Sequence, residues 1–469
     1  MKIALVHYHL RRGGVTSVIM NQARALTGAG VELLIIAGEA ADTVFPFALV
    51  EGLDYDPPGA VYSHAEREER ARQLSQGILR AMDERWGGPA DVVHVHNPLI
   101  QKNSLLLPAL EVLGGSGVRL LLQNHDLAED YRPDVYNAGI EYPQNCHYAV
   151  INSRDYNYLL RAGLKSDGLH LIPNEVAAQT SSAGLERSRY LYPVRAIRRK
   201  NIGEALLLSL FIPKNCTVAV TLPASDRDNK RYSRWTEFAR SLNAPVEFGA
   251  GINSSLADLF GSTVCAISTS IKEGFGFSFL EPWTAGCALA GRRIDYVCSD
   301  FEQAGVHFDR LYSSLNIPKK YITAGDPREK MEDAIRRIYE SFSLAAPEHV
   351  MRTLKDDLDG SENIDFGRLD EEMQESVIRT LCEDAQAKRR IAEMNPMLEK
   401  LGEKQNADLV EANRGIIQKY YGREQITEKL LKMYTSVMGK SVRHKISKLA
   451  LLDLYLDPRR LYLVGISDG

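Results

Sequence analysis

The sequence predicts an α/β protein with two successive doubly wound domains and a helical C-terminal extension. Two alternations of apolar strand patterns and amphipathic helix patterns predict two parallel sheets, and the small, polar stretch 177–188 separates them as a linker. Charged, helix-patterned sequence follows residue 330. A length of 469 residues suits two to four domains of roughly 100–200 residues each. We therefore predict domains at 1–176 and 189–330, a helical extension at 331–438 and a tail at 439–469.

Composition narrows the class of protein. Hydrophobic residues make up 44% of the chain and charged residues 25%, as in ordinary globular proteins. The formal net charge of -4 provides no basic field for a nucleic-acid partner. No apolar run approaches the ~20 residues that cross a bilayer, and the first apolar stretch breaks at His7, as a strand would. Because the six cysteines are scattered, we expect reduced thiols, no zinc site and a cytoplasmic protein.

The first domain opens with a predicted βαβ unit. A strand at Lys2–Val6 is followed by a helix at Val15–Thr27 and a second strand at Val31–Ala37. Gly13 and Gly14 form the loop at the carboxyl end of the first strand, where open α/β sheets bind ligands. The loop lacks the G-x-G-x-x-G dinucleotide pattern. A tight turn needed for packing is the alternative explanation for these glycines.

Later strands of this domain end in polar residues. The further predicted elements are a helix at 64–86, strands at 91–97, 120–126, 147–152 and 169–174, and a helix at 154–162 capped by Ser153. His94 and His96 alternate on one strand, but no carboxylate or cysteine joins them at metal-ligand spacing. His125 ends another strand and is therefore placed for ligand contact, with a structural histidine as the alternative.

The second domain and the extension repeat the alternation. Predicted strands lie at 190–195, 216–222, 263–268 and, weakly, 292–297; predicted helices lie at 202–210, 279–290, 333–342, 371–389, 406–420 and 423–438; and 226–242 is predicted as a polar helix or loop. The tail after Lys440 mixes basic residues and leucines in an amphipathic pattern. We expect it to pack back on the first domain rather than to lie on a membrane.

The segment Lys272–Glu281 carries the strongest chemical signal. Glu273 and Glu281 bracket seven residues, and Gly-Phe-Gly follows the first glutamate directly. A strand, a glycine-bearing turn and a helix N-terminus leave backbone N–H groups free to bind an anion. The second carboxylate could accept hydrogen bonds from a pair of neighbouring hydroxyls. A phosphate beside a diol describes a nucleotide sugar, and an ordinary surface turn is the alternative.

This segment resembles the Glu-x7-Glu signature of retaining, nucleotide-sugar-dependent glycosyltransferases of the GT-B fold, family 4 type. The resemblance implies two Rossmann-like domains facing each other across a cleft. It places Glu273 near the donor hexose and Glu281 at the nucleotide ribose. It also implies that the backbone of Gly274, Phe275, Gly276 and Phe277 holds the diphosphate.

The resemblance assigns residues outside that segment as well. It implies that Arg195 and Lys200 bind the donor diphosphate, although Val194 replaces the family's usual glycine, and that His125 contacts the donor sugar. On the acceptor side, the predicted residues are Gly13, Arg11, Arg12, His96 and Asn97, while Gly14 lies beside the donor diphosphate. Solvated loop charges are the alternative for the two arginines. The sequence Asn-Glu-Val at 174–176 departs from the family pattern at the hinge.

The function implied is transfer of a hexose from a UDP-, GDP- or ADP-hexose to an acceptor hydroxyl, with retention and without a metal or further cofactor. A small soluble sugar or a glycerate-type acceptor would suit the two arginines of the first loop. Three alternatives stay open: a peripheral-membrane transferase with a lipid-linked acceptor, an epimerase or phosphorylase of the same fold, and a non-catalytic nucleotide-sugar binder. The helical extension could also mediate an oligomer contact.

Overall fold

The structure, a computed structural model, describes residues 1–224 and 228–466. The chain divides into two compact units. The first comprises Met1–Glu175 and Tyr420–Leu456, and the second comprises Val176–Lys419 and the residues from Asp457 onward. The start of the predicted element at 226–242 and the last three residues of the predicted tail lie outside the described residues.

The described strands fall into three sheets. In the first unit they are β1 (Lys2–His7), β2 (Glu32–Ala37), β3 (Phe47–Leu49), β4 (Val92–His96), β5 (Leu120–Asn124), β6 (His147–Val150) and β7 (Leu169–Leu171). In the second unit they are β8 (Arg189–Arg195), β9 (Thr217–Leu222), β10 (Val246–Phe248), β11 (Thr263–Ser268), β12 (Leu289–Arg292), β13 (Leu311–Tyr312), β14 (Asn316–Pro318) and β15 (Asn363–Asp365).

The α-helices alternate with these strands and then continue alone. They are α1 (Gly14–Gly28), α2 (His64–Trp86), α3 (Leu106–Gly115), α4 (Ser153–Arg161), α5 (Ile202–Ser209), α6 (Asn229–Ser241), α7 (Ala250–Asn253), α8 (Leu256–Gly261), α9 (Phe277–Thr284) and α10 (Asp295–Gln303). The later helices are α11 (Pro327–Ser341), α12 (Glu348–Asp359), α13 (Glu371–Glu383), α14 (Ala385–Met394), α15 (Ala407–Tyr421), α16 (Arg423–Gly439) and α17 (Lys448–Tyr455).

The first unit is a doubly wound domain. Its seven strands are all parallel, in the order β3-β2-β1-β4-β5-β6-β7. Successive residues of β1 face opposite cores: Ala4 and Val6 belong to one apolar cluster, and Ile3 and Leu5 belong to the other. Helices cover both faces, which explains why these strands are nearly continuous apolar runs.

The second unit repeats this architecture. Its main sheet has six parallel strands in the order β10-β9-β8-β11-β12-β13. The strands β14 and β15 form a small antiparallel pair outside the main sheet. In the sequence, α11 and α12 lie between these two strands, and α13 follows β15. The predicted pair of doubly wound, Rossmann-like α/β domains is confirmed.

Two predicted elements differ near the central segment. The helix predicted at 279–290 ends at Thr284, because Gly286 adopts a left-handed φ of 81° and turns the chain into β12. The weak strand predicted at 292–297 is wrong over most of its length. Only Arg292 ends a strand, and α10 begins at Asp295.

Helix boundaries also differ at two polar residues. Ser153 is the first residue of α4, and the cap is Asn152, whose side-chain oxygen accepts from the backbone N–H of Asp155 at 2.8 Å. The helix predicted at 371–389 breaks at Asp384, whose carboxylate accepts from the N–H groups of Gln386 and Ala387 and caps α14. The helix α12 lies between two of the predicted helices, at positions for which no helix was predicted.

The chain after residue 439 contributes to the core of the first unit. Leu451 and Tyr455 of α17 are buried in one of its apolar clusters. The Tyr455 hydroxyl donates to Asp155 at 2.8 Å. Within the parts of the chain that the structure describes, no helix combines the length and apolar character needed to cross a bilayer.

Candidate active site

The two main segments predicted to bind the donor meet at a defined place in the second sheet. Strand order reverses between β8 and β11, which are adjacent and parallel. Ligands of open α/β sheets bind beyond the carboxyl ends of the strands at such a reversal. The loop after β8 carries residues 196–201, and the loop after β11 carries residues 269–276. The sheet topology therefore brings together two segments that lie about 70 residues apart in the sequence.

Backbone-directed hydrogen bonds join these two loops. The Thr269 hydroxyl lies 3.0 Å from the backbone oxygens of both Lys200 and Asn201, to which it can donate. The backbone N–H of Ile271 donates to the oxygen of Arg199, also at 3.0 Å. The geometry of one loop is thus fixed by the other before any ligand binds.

Glu273 is the electrostatic centre of the site. The side chains of Arg199 and Lys200 both pair with its carboxylate, and Arg199 also donates to the backbone oxygen of Lys272 at 2.9 Å. Burial opposes ionisation of this carboxyl, but the two cations outweigh it and hold the pKa of Glu273 at about 2. Glu273 is therefore a carboxylate at any ordinary pH, and two cations pair with it.

The basic loop contains one contact that the sequence prediction missed. Lys200 is buried and contacts Glu273, whereas Arg195 is exposed and, within residues 1–224 and 228–466, its side chain reaches only the backbone oxygen of Pro223, at 3.5 Å. Arg199, which was not singled out, pairs with Glu273 instead. The signal was present in the basic run 198–200, but sequence spacing alone could not show which cation turns toward the neighbouring strand.

The turn after Glu273 leads into α9 and requires a glycine. Gly276 has a φ of 93°, and a Cβ there would lie 2.5 Å from the side chain of Val297. Gly274 is half-buried in this turn, and Phe275 is buried against Phe301, with ring centroids 5.5 Å apart. The aromatic side chain packs the turn, while its backbone follows the shape set by the glycine.

The N-terminus of α9 offers polar groups next to this turn. Phe277 is its first residue, and no side chain caps the helix. The hydroxyl of Ser278 is buried without a hydrogen-bond partner among the described residues. Such a terminus favours an anion through its backbone N–H groups and its dipole.

The pKa of Glu281 shifts in the opposite direction to that of Glu273. This residue is half-buried in the second turn of α9. Burial raises the pKa of Glu281, and the positive charge of Lys200 partly opposes that rise. Folding therefore shifts the pKa values of the two glutamates of the signature in opposite directions.

In the first unit, Gly13 is the N-cap of α1 and Gly14 is the first residue of that helix. Gly13 has extended backbone that any residue could adopt, and a Cβ on Gly14 would meet nothing within 4 Å. Neither conformation nor packing within the described chain therefore requires these glycines. Arg11 pairs with Glu39, and Arg12 is exposed on the same loop. Arg11 is thus partly neutralised, and Arg12 is the more available of the two cations.

Two predicted acceptor residues, His96 at the end of β4 and Asn97 directly after it, are buried. His96 has no exposed surface, and its Nδ1 lies 3.1 Å from Nε2 of His125. Asn97 adopts a left-handed φ of 58°, and its side-chain oxygen accepts from the backbone N–H groups of His125 and Asp126 at 3.0 and 3.1 Å. Both residues therefore shape the loop that holds His125.

His125 lies at the carboxyl end of β5 and is 7% exposed. Burial lowers the pKa of His125 to about 4, so the ring is neutral near pH 7.

Across residues 1–224 and 228–466, no group of three or more His, Cys, Asp or Glu side chains is arranged to hold a metal ion.

Comparison with known proteins places this architecture among glycosyltransferases. A family model described as Glycosyltransferase Family 4 matches residues 12–179. The mannosylglucosyl-3-phosphoglycerate synthase of Petrotoga mobilis is 27% identical over 434 residues, covering 82% of this chain and 81% of the relative.

Two solved structures share the fold. Sucrose-phosphate synthase from Thermosynechococcus elongatus superposes with a TM-score of 0.53 at 14% identity, covering 92% of this chain and 98% of that one. HepE of Anabaena, in complex with UDP and glucose, superposes with a TM-score of 0.55 at 12% identity, covering 93% of this chain and all of that one. At such identities the likeness concerns the fold.

Proposed function

Because this chain is a glycosyltransferase of the group 1 type with the GT-B fold, we propose that it moves a hexose from a nucleotide-diphosphate sugar to a hydroxyl of a glycerate-type acceptor. The observation that carries the proposal is the Glu273 site, where two cations and a helix N-terminus converge at the reversal point of the second sheet. We further propose that the anomeric configuration is retained.

The donor's leaving group is a nucleoside diphosphate. Breaking the bond between the anomeric carbon and the phosphate oxygen places negative charge on the diphosphate, and fixed cations and N–H groups stabilise that charge. Lys200 and the backbone at the start of α9 supply such groups beside Glu273. Because Glu273 stays ionised, it can orient hydroxyls of the hexose as a hydrogen-bond acceptor. Glu281 receives the ribose.

The acceptor hydroxyl forms the new glycosidic bond and gives up its proton, which the departing diphosphate accepts. No protein nucleophile is assigned. In the first unit, His125 holds a sugar hydroxyl. The Gly-Gly loop allows close approach of the ligand to backbone, since neither glycine is needed for packing.

The choice of acceptor rests on charge and on the relative's name. A glycerate or phosphoglycerate group carries one to three negative charges, which an exposed guanidinium recognises well. Arg12 provides such a group, and Arg11 is held nearby by Glu39. The name of the Petrotoga relative includes a phosphoglycerate. We therefore propose that the acceptor contains a glycerate or 3-phosphoglycerate group.

A thermal-shift panel tests donor binding. UDP-, GDP- and ADP-hexoses are compared on wild type and on Glu281→Ala, because binding to the native state raises Tm by an amount set by ligand concentration over Kd. We expect one nucleotide sugar to raise the Tm of wild type clearly. The Glu281→Ala variant should bind the same nucleotide sugar at least tenfold less tightly. Glu302→Ala, on the surface of α10, is the matched control and should bind like wild type. Absence of a shift with every nucleotide would overturn the proposed donor.

A further inference from the structure

Three histidine rings form a continuous stack in the first unit. His94 and His96 project from the same face of β4, with ring centroids 4.4 Å apart. His96 in turn lies parallel to His125, with centroids 5.5 Å apart and ring planes inclined by 12°. Nδ1 of His96 and Nε2 of His125 are 3.1 Å apart, within hydrogen-bond distance.

The far end of this stack is anchored by the C-terminal part of the chain. The hydroxyl of Tyr434, on α16, lies 2.8 Å from Nδ1 of His94, and both residues have no exposed surface. The near end is fixed by Asn97, which accepts from the backbone N–H of His125. Burial lowers the pKa of His94 to about 3 and that of His125 to about 4, so the rings are neutral near pH 7.

A neutral imidazole carries one proton, and its position decides what the ring can do. Nε2 of His96 is buried and has no hydrogen-bond partner among the described residues. An orphaned buried N–H is rarer than an orphaned acceptor, so the proton of His96 belongs on Nδ1. Nδ1–H then donates to Nε2 of His125. His125 must accordingly carry its own proton on Nδ1.

We propose that His96 is a positioning residue that holds His125 in the Nδ1–H tautomer, so that His125 donates a hydrogen bond to an oxygen of the bound sugar. Within the described residues, Nδ1 of His125 makes no hydrogen bond to the protein, and the ring keeps a small exposed fraction. That the accepting oxygen belongs to a sugar rests on the proposed function. The tautomer itself does not.

Long-range ¹H–¹⁵N NMR of the histidine-labelled full chain measures the tautomer directly. His125→Gln identifies the His125 signals. We expect wild type to show the Nδ1–H pattern for His125 without any ligand. In His96→Leu the constraint is gone, and we expect the signals to shift toward the Nε2–H pattern. His96→Asn places an N–H donor at the position of Nδ1 and should restore the wild-type pattern.

His147 supplies the matched control. Its Nδ1 lies 2.9 Å from Nε2 of His170, and the two rings are stacked at 15°, but neither ring contacts the stack described above. His147→Leu should therefore leave the His125 signals unchanged. A wild-type His125 with its proton on Nε2 would overturn the proposal outright, even if His96→Leu and His96→Asn failed to fold.

Kinetics provides the second readout, with the donor and acceptor pair that supports transfer. We expect His96→Leu to lower kcat about tenfold with little change in the donor KM, because one oriented hydrogen bond is lost. His96→Asn should recover most of that loss. If His96→Asn is as slow as His96→Leu, and His125 has the same tautomer in both variants as in wild type, His96 serves packing only and the proposal fails. If no pair supports transfer, the proposed function fails, whereas the NMR result still decides the tautomer.

Discussion

Glu273 is buried, and burial alone would raise the pKa of its carboxyl group. Arg199 and Lys200 reverse that tendency. Glu281 forms no ion pair among the described residues, and burial raises its pKa. The sequence predicted both glutamates as site residues from their spacing. It could not predict that their pKa values shift in opposite directions, because the cations that lower the pKa of Glu273 lie on a loop about 70 residues away.

This difference predicts opposite pH dependences for two glutamine variants. The pKa of Glu273 falls from 4.5 to about 2 on folding, so its ionisation stabilises the native state above about pH 4.5 and stops doing so as the pH falls toward 2. The stability advantage of wild type over Glu273→Gln should therefore shrink over that window, by at most about 3 kcal/mol. Urea denaturation between pH 2.5 and 6 measures it.

Glu281→Gln is the matched control for that experiment. Since folding raises the pKa of Glu281, ionisation of this residue lowers the free energy of unfolding. As the pH rises above 4.5, wild type should therefore become less stable relative to the glutamine variant. Parallel pH profiles for the two variants would contradict the electrostatic description of the site.

At the scale of elements, a buried ion network ties the second sheet to the later helices. Arg292, at the end of β12, is fully buried and pairs with Glu204 of α5 at 2.7 Å and with Asp365 of β15 at 2.8 Å. The hydroxyl of Tyr312 also donates to Glu204, at 2.6 Å. This network could not be predicted from the sequence, because its members lie up to 161 positions apart and match no local pattern. Local periodicity predicts elements, whereas such long-range pairs appear only once the fold is known.

Replacing Arg292 should destabilise the second unit strongly. Arg292→Met leaves the carboxylates of Glu204 and Asp365 without their cation, one of them fully buried, at a cost of about 3–5 kcal/mol in the free energy of unfolding. Arg293→Met removes the next residue's pairs with Asp295 and Glu302, which are exposed, and should cost at most about 1 kcal/mol. Denaturant midpoints of the two variants make the comparison. Equal losses would show that the buried network does not stabilise the fold.

At the scale of the whole molecule, the chain builds each unit from separate stretches of sequence. Alternating strand and helix patterns predicted both sheets, and the small, polar linker marked the change between them. The route of the C-terminal part was less predictable. The amphipathic tail pattern suggested packing on the first domain; Leu451 and Tyr455 are buried in the first unit, whereas the residues from Asp457 onward belong to the second. Nothing in the sequence indicated that Tyr434 would reach His94, because a hydroxyl on a helix contacts a histidine on a distant strand only through the tertiary fold.

The most direct test of the account is product analysis of a transfer reaction. Full-length protein is incubated with the donor selected by thermal shift and with D-glycerate, 3-phosphoglycerate or their glucosylated forms, and the product is examined by NMR. We predict a new glycoside whose anomeric configuration matches that of the donor, formed at least 100-fold more slowly by Glu273→Gln. A glycoside of inverted configuration, or donor hydrolysis with no glycoside from any of these acceptors, would contradict the account.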